Sequence, residues 1–151
     1  MAEINVTFDP GGDEASYSES THELVTVSGS EGLCLRRTSS GKDAKATVHL
    51  PYPSKIFNIK VRTRSSTSGI TEVWVDYSGG GDQRLLRSTK NGWYTHEVPE
   101  DRLPVDDVIA VRFVRGMGSG FGGNYHYLDN LYVEYAPSGA ENDPCENDGD
   151  E

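Results

Sequence analysis

Short runs of β-branched and aromatic residues, separated by turn-forming clusters, constrain the fold of this 151-residue chain more than any other feature. The clusters are rich in Gly, Pro, Ser, Asn and Asp, as in Pro10-Gly11-Gly12 and Asn91-Gly92. Helix signals are almost absent, and ten short strands cannot form one open sheet without curling. The pattern therefore predicts an all-β fold, a two-sheet antiparallel β-sandwich. The runs span residues 4–8, 24–27, 33–38, 46–50, 56–64, 72–77, 84–88, 93–98, 108–114 and 127–135.

Period-two alternation within these runs indicates which side chains face the core. In the run 56–64, the side chains expected to point inward are Phe57, Ile59, Val61 and Thr63. The side chains expected in solvent are Lys60, Arg62 and Arg64. In the run 72–77, the inward set is Val73, Val75 and Tyr77.

Trp74 lies on the polar face of the run 72–77, together with Asp76. A large apolar ring on a wet face is unfavourable unless something covers it, and a sugar ring stacked on the indole would do so. If the runs 56–64 and 72–77 form a hairpin, aligning their inward sets pairs Arg62 with Trp74. We therefore predict a ligand site with Trp74 as the platform and with Arg62 and Asp76 as polar contacts. A structural tryptophan covered by a loop is the alternative, and a jelly-roll crossover would separate the two runs.

Asp129 is a carboxylate in an otherwise hydrophobic strand pattern. Alternation places it on the face of Leu131, Val133 and Tyr135, which is the core face. A carboxylate there needs strong partners, either several backbone N–H groups or a hard cation. Calcium fits because it accepts six to eight oxygens from carboxylates and carbonyls. A hydrogen-bonded structural aspartate is the alternative.

The glycine-rich stretch 116–126 precedes the last run. Gly118, Gly120 and Gly123 match the pattern GxGxxG, but no helix follows them and no βαβ unit surrounds them, so phosphate binding is not predicted. A flexible loop that carries aromatic, amide and imidazole groups could instead form a second ligand-contacting edge, or simply be a long hairpin loop. The candidate residues are Phe121, Asn124, Tyr125 and His126.

A second tryptophan, Trp93, directly follows the turn residue Gly92. Tyr94 and His96 share one face of this run, and Trp93 lies on the other. We expect Trp93 to anchor the edge of the core, and a sugar platform is the alternative.

Catalytic and metal-binding constellations are weak. The histidines are scattered, no GxSxG elbow is present, and no acid pair is marked as a glycosidase dyad. We predict that the protein is not an enzyme, and we keep a small polysaccharide lyase or hydrolase that uses His126 as a further alternative. Cys34 and Cys145 form no zinc motif, and we do not expect them to pair as a disulfide.

The acidic charge of the chain is concentrated at its C-terminal end. The net charge is −10, but six of the 24 acids lie in the last eleven residues, and residues 1–140 carry only −4. The hydrophobic pattern stops at Ala136, so we predict a domain at 1–135 and a disordered acidic linker at 136–151. No basic stripe supports nucleic-acid binding, and no apolar run approaches the roughly 20 residues of a membrane span.

The order of several segments resembles the β-jelly-roll carbohydrate-binding modules of secreted polysaccharide-degrading enzymes. Phe8-Asp9 resembles the opening strand, and the segment 28–35 resembles a "small-Gly-x-x-x-Leu-x-Leu" motif. The last run resembles a closing aromatic-x-Asp-Asn-x-x-Val strand. Together these segments span most of residues 4–135. They are Phe8-Asp9, Ser28-Gly29-Ser30-Glu31-Gly32-Leu33-Cys34-Leu35, 56–64, 73–76, Gly92-Trp93-Tyr94-Thr95 and Tyr127-Leu128-Asp129-Asn130-Leu131-Tyr132-Val133.

The resemblance implies a noncatalytic jelly roll that binds sugar, either on a sheet face or at a loop edge. It implies a structural calcium, with Asp129 and Asp9 among its ligands. It also implies an extracellular monomer, linked to a catalytic domain and bound to a polysaccharide or oligosaccharide.

Two further expectations concern the ligand. Because no row of exposed tryptophans is evident, we expect a single glycan chain or a chain end rather than a crystalline surface. The solvent-facing Lys60, Arg62 and Arg64 leave room for an anionic glycan, such as a uronate or a sulfated polymer. A protein-interaction or adhesion β-sandwich is the alternative function.

Overall fold

The chain folds almost entirely as β-strands in the computed structural model, which describes residues 1–103, 105–116 and 124–139. The described residues contain one short 3-10 helix, Glu100–Arg102, and no helix of the length and hydrophobicity that a membrane span requires. The nine strands are β1 (Ala2–Val6), β2 (His22–Thr26), β3 (Leu33–Arg37), β4 (Ala44–Ser65), β5 (Ile70–Tyr77), β6 (Asp82–Ser88), β7 (Tyr94–Glu97), β8 (Val108–Gly116) and β9 (His126–Pro137).

Strand β4 is 22 residues long and contributes to two antiparallel sheets. Its first part, 44–49, pairs with β8, and its second part, 54–65, pairs with β9 and β7. Between them lie Pro51 and Pro53, which lack the N–H that a ladder needs, and the register shifts there. The predicted runs 46–50 and 56–64 are therefore two parts of one strand.

The pairing defines two sheets. Sheet I has the order β4(44–49)-β8-β5-β6, and sheet II has the order β2-β3-β9-β4(54–65)-β7, with β1 also paired to β9. All of these pairs are antiparallel, which confirms the predicted two-sheet β-sandwich.

The core lies between the two sheets and is made of the inward side chains of each. The alternation predicted for 72–77 is confirmed, because Val73 and Val75 are fully buried and Tyr77 packs against them. The fully buried core residues include Val48, Val111 and Phe113 of sheet I and Ile59, Val61, Leu128, Leu131 and Val133 of sheet II.

The inward position predicted for Phe57 is wrong. Ile56 pairs with Tyr135 and Asn58 pairs with Glu134, so Phe57 is an extra residue without a partner across the ladder. Such a bulge reverses the alternation on one side of itself. Ile56 is therefore fully buried, whereas Phe57 is only partly buried.

The hairpin considered between the runs 56–64 and 72–77 does not form. Strand β5 pairs with β6 and β8, whereas residues 54–65 of β4 pair with β7 and β9. The crossover arrangement places Arg62 on sheet II and Trp74 on sheet I, so the pairing of these two residues is wrong.

The C-terminal strand continues slightly past the predicted domain boundary. Strand β9 ends at Pro137, and Ala136 is buried. Most of the predicted linker, residues 140–151, lies outside the described residues.

One end of the core is polar and centres on Arg115, which is fully buried. Its guanidinium donates four hydrogen bonds to neutral acceptors, and burial lowers the pKa of Arg115 to about 10. These acceptors are Ser65 Oγ at 2.8 Å, Thr71 Oγ1 at 3.0 Å, the Lys90 carbonyl at 3.1 Å and Asn91 Oδ1 at 2.9 Å.

Two buried histidines border this arginine. Nε2 of His96 is 3.0 Å from Thr63 Oγ1, and Nδ1 of His126 is 2.6 Å from Ser65 Oγ. Burial, followed by the positive charge of Arg115, lowers the pKa of His96 to about 4 and also lowers the pKa of His126. Both imidazoles are therefore neutral in the folded protein at neutral pH.

Acid should destabilise this fold through His96 and His126. An unfolded histidine protonates near pH 6.5, whereas the folded pKa values are lower, so the unfolded state gains protons first. We expect stability to fall as the pH drops from about 6.5 towards 4, by up to about 1.4 kcal/mol per pH unit for each histidine. His96→Gln should flatten this slope in urea unfolding, with His49→Gln on the surface as the matched control. If the pH dependence of stability is unchanged in His96→Gln, the lowered pKa of His96 is contradicted.

Candidate functional site

Trp74 lies in the middle of β5 on the outer face of sheet I, between two arginines. Its neighbours across the ladders are Arg112 on β8 and Arg84 on β6. Their guanidinium carbons lie 5.4 Å and 6.0 Å from the centre of the indole, within the range of a cation–π contact. The indole N–H donates to Glu72 Oε1 at 3.1 Å, so a residue of the same strand fixes the ring orientation. The partly exposed ring is the predicted platform.

The charges around Trp74 are arranged as ion pairs. Arg112 donates to Asp76 at 3.0 Å and to Asp82 at 2.6 Å, and Arg84 donates to Glu72 at 3.3 Å. Asp76 therefore lies on the same face as Trp74, as the alternation predicts. The sequence pattern gave no signal for Arg84 and Arg112, because their approach depends on which strands flank β5.

A cleft of about 780 Å³ opens between β6 of sheet I and β7 of sheet II, and Trp74 contributes to its lining. On the β7 side lies Tyr94, which is 40% exposed and meets the buried His96 edge to face at 4.8 Å. Nζ of Lys90 lies 5.0 Å from the centre of the Tyr94 ring. In the sequence, only the alternation that places Tyr94 and His96 on the same face of their strand pointed to this side of the cleft.

Arg62 lies on sheet II and does not contribute to the surroundings of Trp74, contrary to the prediction. It pairs with the Asp129 carboxylate, lies 3.3 Å from the carboxylate of Glu31 and donates to the Gly29 carbonyl at 3.2 Å. Its guanidinium also stacks on Trp93 at 4.7 Å. With 17% of its side chain exposed, Arg62 is committed to internal contacts.

Trp93 anchors the segment that covers this arginine. Its indole N–H donates to the Ser28 carbonyl at 2.9 Å. The indole also lies against Gly29, whose φ is +89°, and a Cβ at that position would be 2.5 Å from Nε1. Trp93 therefore anchors the segment at Ser28 and Gly29, and it is not among the side chains that pack on the core.

The core-face position predicted for Asp129 is wrong. Arg62 pairs with Asn130 and Thr63 pairs with Leu128, so Asp129 is a bulge residue without a partner across the ladder. The bulge turns its side chain towards Arg62 on the outer face of sheet II. It is nevertheless only 3% exposed there.

The described residues around Asp129 do not fit a calcium site. The two carboxylate oxygens accept hydrogen bonds from Arg62, from the Glu31 N–H at 3.3 Å and from the Cys34 thiol at 3.4 Å. Burial and the charge of Asp129 raise the pKa of Cys34 to about 12, so the thiol keeps its proton. Asp9, the other predicted ligand, is exposed and accepts from the Leu33 N–H at 3.2 Å. No group of three or more His, Cys, Asp or Glu residues with metal-binding geometry exists in the described part of the chain.

The loop-edge candidates separate into buried and exposed residues. Asn124 is buried, and its side chain bonds to the Thr67 N–H at 3.0 Å and the Ser68 carbonyl at 2.8 Å. His126 is 3% exposed, so a catalytic role there lacks access to a substrate. Tyr125 is partly exposed, and Arg36 lies 4.2 Å above its ring. Phe121 lies outside the described residues.

Several solved structures with a similar architecture are carbohydrate-binding modules. A family 29 module matches with a TM-score of 0.55 and 12% identity, over 91% of this chain and 92% of that one. A variant of a family 29 module in complex with cellulohexaose matches with a TM-score of 0.55 and 12% identity, over 90% and 93%. A family 61 module in complex with β-1,4-galactotriose matches with a TM-score of 0.51 and 9% identity, over 82% and 88%.

These similarities show that the chain has the jelly-roll fold of carbohydrate-binding modules, which confirms the resemblance at the level of the fold. No protein-family model matches the sequence, and no curated protein matches it significantly.

The contacts of Asp129 lead to a stability prediction. Asp129→Ala leaves the Arg62 guanidinium partly buried without its main partner, and we expect a loss of about 3 kcal/mol in urea unfolding. Arg62→Ala in the same chain should recover part of that loss, because the uncompensated charge is then removed.

Because the contacts of Asp129 do not fit a calcium site, EDTA should leave the melting temperature of the protein unchanged. A lower melting temperature in EDTA, restored by calcium, would contradict this assignment.

Proposed function

We propose that this protein binds carbohydrate without catalysing a reaction, at the surface of sheet I centred on Trp74. The observation that carries the proposal is the position of this indole, partly exposed on the outer face of a jelly-roll sheet and lining a cleft of about 780 Å³. This volume lies within the range of about 300–1,000 Å³ that is typical of ligand sites.

The chemistry around Trp74 suits a sugar ring. The indole offers an apolar face to the C–H groups of the ring, and its own N–H is already bonded to Glu72. Arg84 and Arg112 present guanidinium donors on either side, and Asp76 presents a carboxylate acceptor. Donors and acceptors around an apolar platform can bind the hydroxyl groups while the ring stacks.

We propose that the ligand is a single glycan chain. Apart from His96, the aromatic side chains that line the cleft in the described part of the chain are Trp74 on sheet I and Tyr94 on sheet II, so they do not form one row on a single strand. Such an arrangement suits a separate chain or a chain end better than a crystalline polymer surface. The β-1,4-linked ligands of the two solved modules, cellulohexaose and β-1,4-galactotriose, are the first probes to test.

We further propose that the module is extracellular and tethers a linked enzyme to a polysaccharide. The acidic composition of residues 140–151 supports this proposal, because a highly charged polar segment of this kind suits a linker.

Trp74→Ala should abolish glycan binding. Removing the indole takes away the stacking surface, and we expect loss of retardation in affinity gels that contain mixed-linkage glucan or β-1,4-galactan. The core should be preserved because Val73 and Val75 are unchanged, so the melting temperature should fall by only about 2–4 °C, or about 1 kcal/mol.

Trp93→Ala is the matched control on the other sheet. It should lower the melting temperature more than Trp74→Ala, because the Ser28 and Arg62 contacts are lost, and it should keep glycan retardation at a temperature where the variant is folded. Retained binding in Trp74→Ala together with lost binding in Trp93→Ala would place the site on sheet II and refute the proposal.

A further inference from the structure

The cleft between β6 and β7 is basic, although the chain as a whole is acidic. The net charge of the chain is −10. Four of the residues that line the cleft are bases and two are acids. The bases are Arg84, Arg87, Lys90 and Arg102, and the acids are Asp82 and Glu97.

The ion pairs of sheet I leave this excess of positive charge unchanged, because they neutralise one lining acid and one lining base. Asp82 is paired with Arg112, which is not among the lining residues, and Arg84 is paired with Glu72. Among the described residues, Arg87, Lys90 and Arg102 make no ion pair with a carboxylate. Three cationic groups at the cleft therefore remain available to an anionic ligand.

Two of these three residues, Lys90 and Arg102, make contacts that hold them at the cleft. Lys90 holds its ammonium 5.0 Å from the centre of the Tyr94 ring, and Arg102 donates to the Arg84 carbonyl at 3.4 Å. Arg87 is exposed and lies next to Glu72 across the β5–β6 ladder. Like charges that share a concave surface repel one another and focus the field there, so an anion in the cleft would relieve the repulsion.

We propose that this cleft selects a polyanionic glycan, whose carboxylate or sulfate groups pair with Arg87, Lys90 and Arg102. The inference rests on the proposed carbohydrate-binding function, because Trp74 and Tyr94 provide the stacking surfaces. Arginine suits this role since its planar guanidinium binds carboxylate and sulfate groups with two parallel hydrogen bonds. The spacing of anionic groups along the polymer, rather than a single charge, is what three separate cations recognise.

Matched pairs of polymers test the inference by calorimetry and affinity gels. Polygalacturonate is compared with its carboxyl-reduced form, and a sulfated galactan with its desulfated form. At about 20 mM NaCl we expect the anionic polymer of at least one pair to bind at least about tenfold more tightly than its neutral partner. At about 0.5 M NaCl this preference should shrink, because exposed charges are screened. The two pairs show whether carboxylate or sulfate is the recognised group.

The double variant Arg87→Gln and Arg102→Gln should lose most of the preference and keep the affinity for the neutral polymer. The matched control, Lys42→Gln with Lys45→Gln, removes the same charge from exposed positions outside the cleft and should keep the preference. Trp74→Ala should weaken binding of both members of each pair.

The outcomes separate this inference from the proposed function. Equal binding of neutral and anionic polymers, with both lost in Trp74→Ala, would refute the anionic selectivity and keep carbohydrate binding. Anionic binding that survives Trp74→Ala and is matched by single-stranded DNA would refute the inference, because it would be charge attraction without sugar recognition. Failure of every polymer to bind would refute the proposed function itself.

Discussion

The passage of β4 from one sheet to the other is the constraint on which the rest of the structure depends. A continuous strand would carry one alternating face over its whole length, but Pro51 and Pro53 interrupt the ladder between residues 49 and 54. After this interruption the chain pairs with β9, and Ser54 alone still pairs with β8. The outward side chains of 54–65 therefore belong to sheet II, so Lys60, Arg62 and Arg64 lie on the other sheet from Trp74. The same crossing closes the sandwich and leaves β6 and β7 as edges that border the cleft.

Much of the fold could be predicted from the sequence, because turn clusters and period-two alternation are local signals. The all-β class and the buried face of β5 follow from them directly. Two of the errors occur where an inserted residue changes the parity, at Phe57 and Asp129. A bulge depends on how two strands that are distant in the sequence align, and neither a phenylalanine nor an aspartate indicates one. The candidate site was predicted only as far as the polar face of β5, since the arginines that flank Trp74 come from strands that sequence order does not bring together.

The two tryptophans differ in whether a contact from a distant part of the chain holds the indole. Each indole N–H has an acceptor and each ring has arginine neighbours, so local chemistry does not distinguish them. The acceptor of Trp93 is the Ser28 carbonyl, 65 residues away in the chain, and Gly29 lies against the indole. The acceptor of Trp74 is Glu72 on the same strand. Its hydrogen bond therefore orients the ring within β5 without tying it to a distant segment, and the indole is partly exposed.

The arginines are distributed in the same way, and their partners rather than their number determine what each can do. Arg115 is buried among neutral acceptors and Arg62 is paired with Asp129, so both side chains make contacts within the fold. Arg112 is neutralised by two aspartates on the face of sheet I. The net charge of the chain gives no sign of this sorting. Because desolvation is costly for an unpaired cation, evolution can place several of them together only where solvent or an anionic ligand reaches them, and the open edge of this sandwich is such a place.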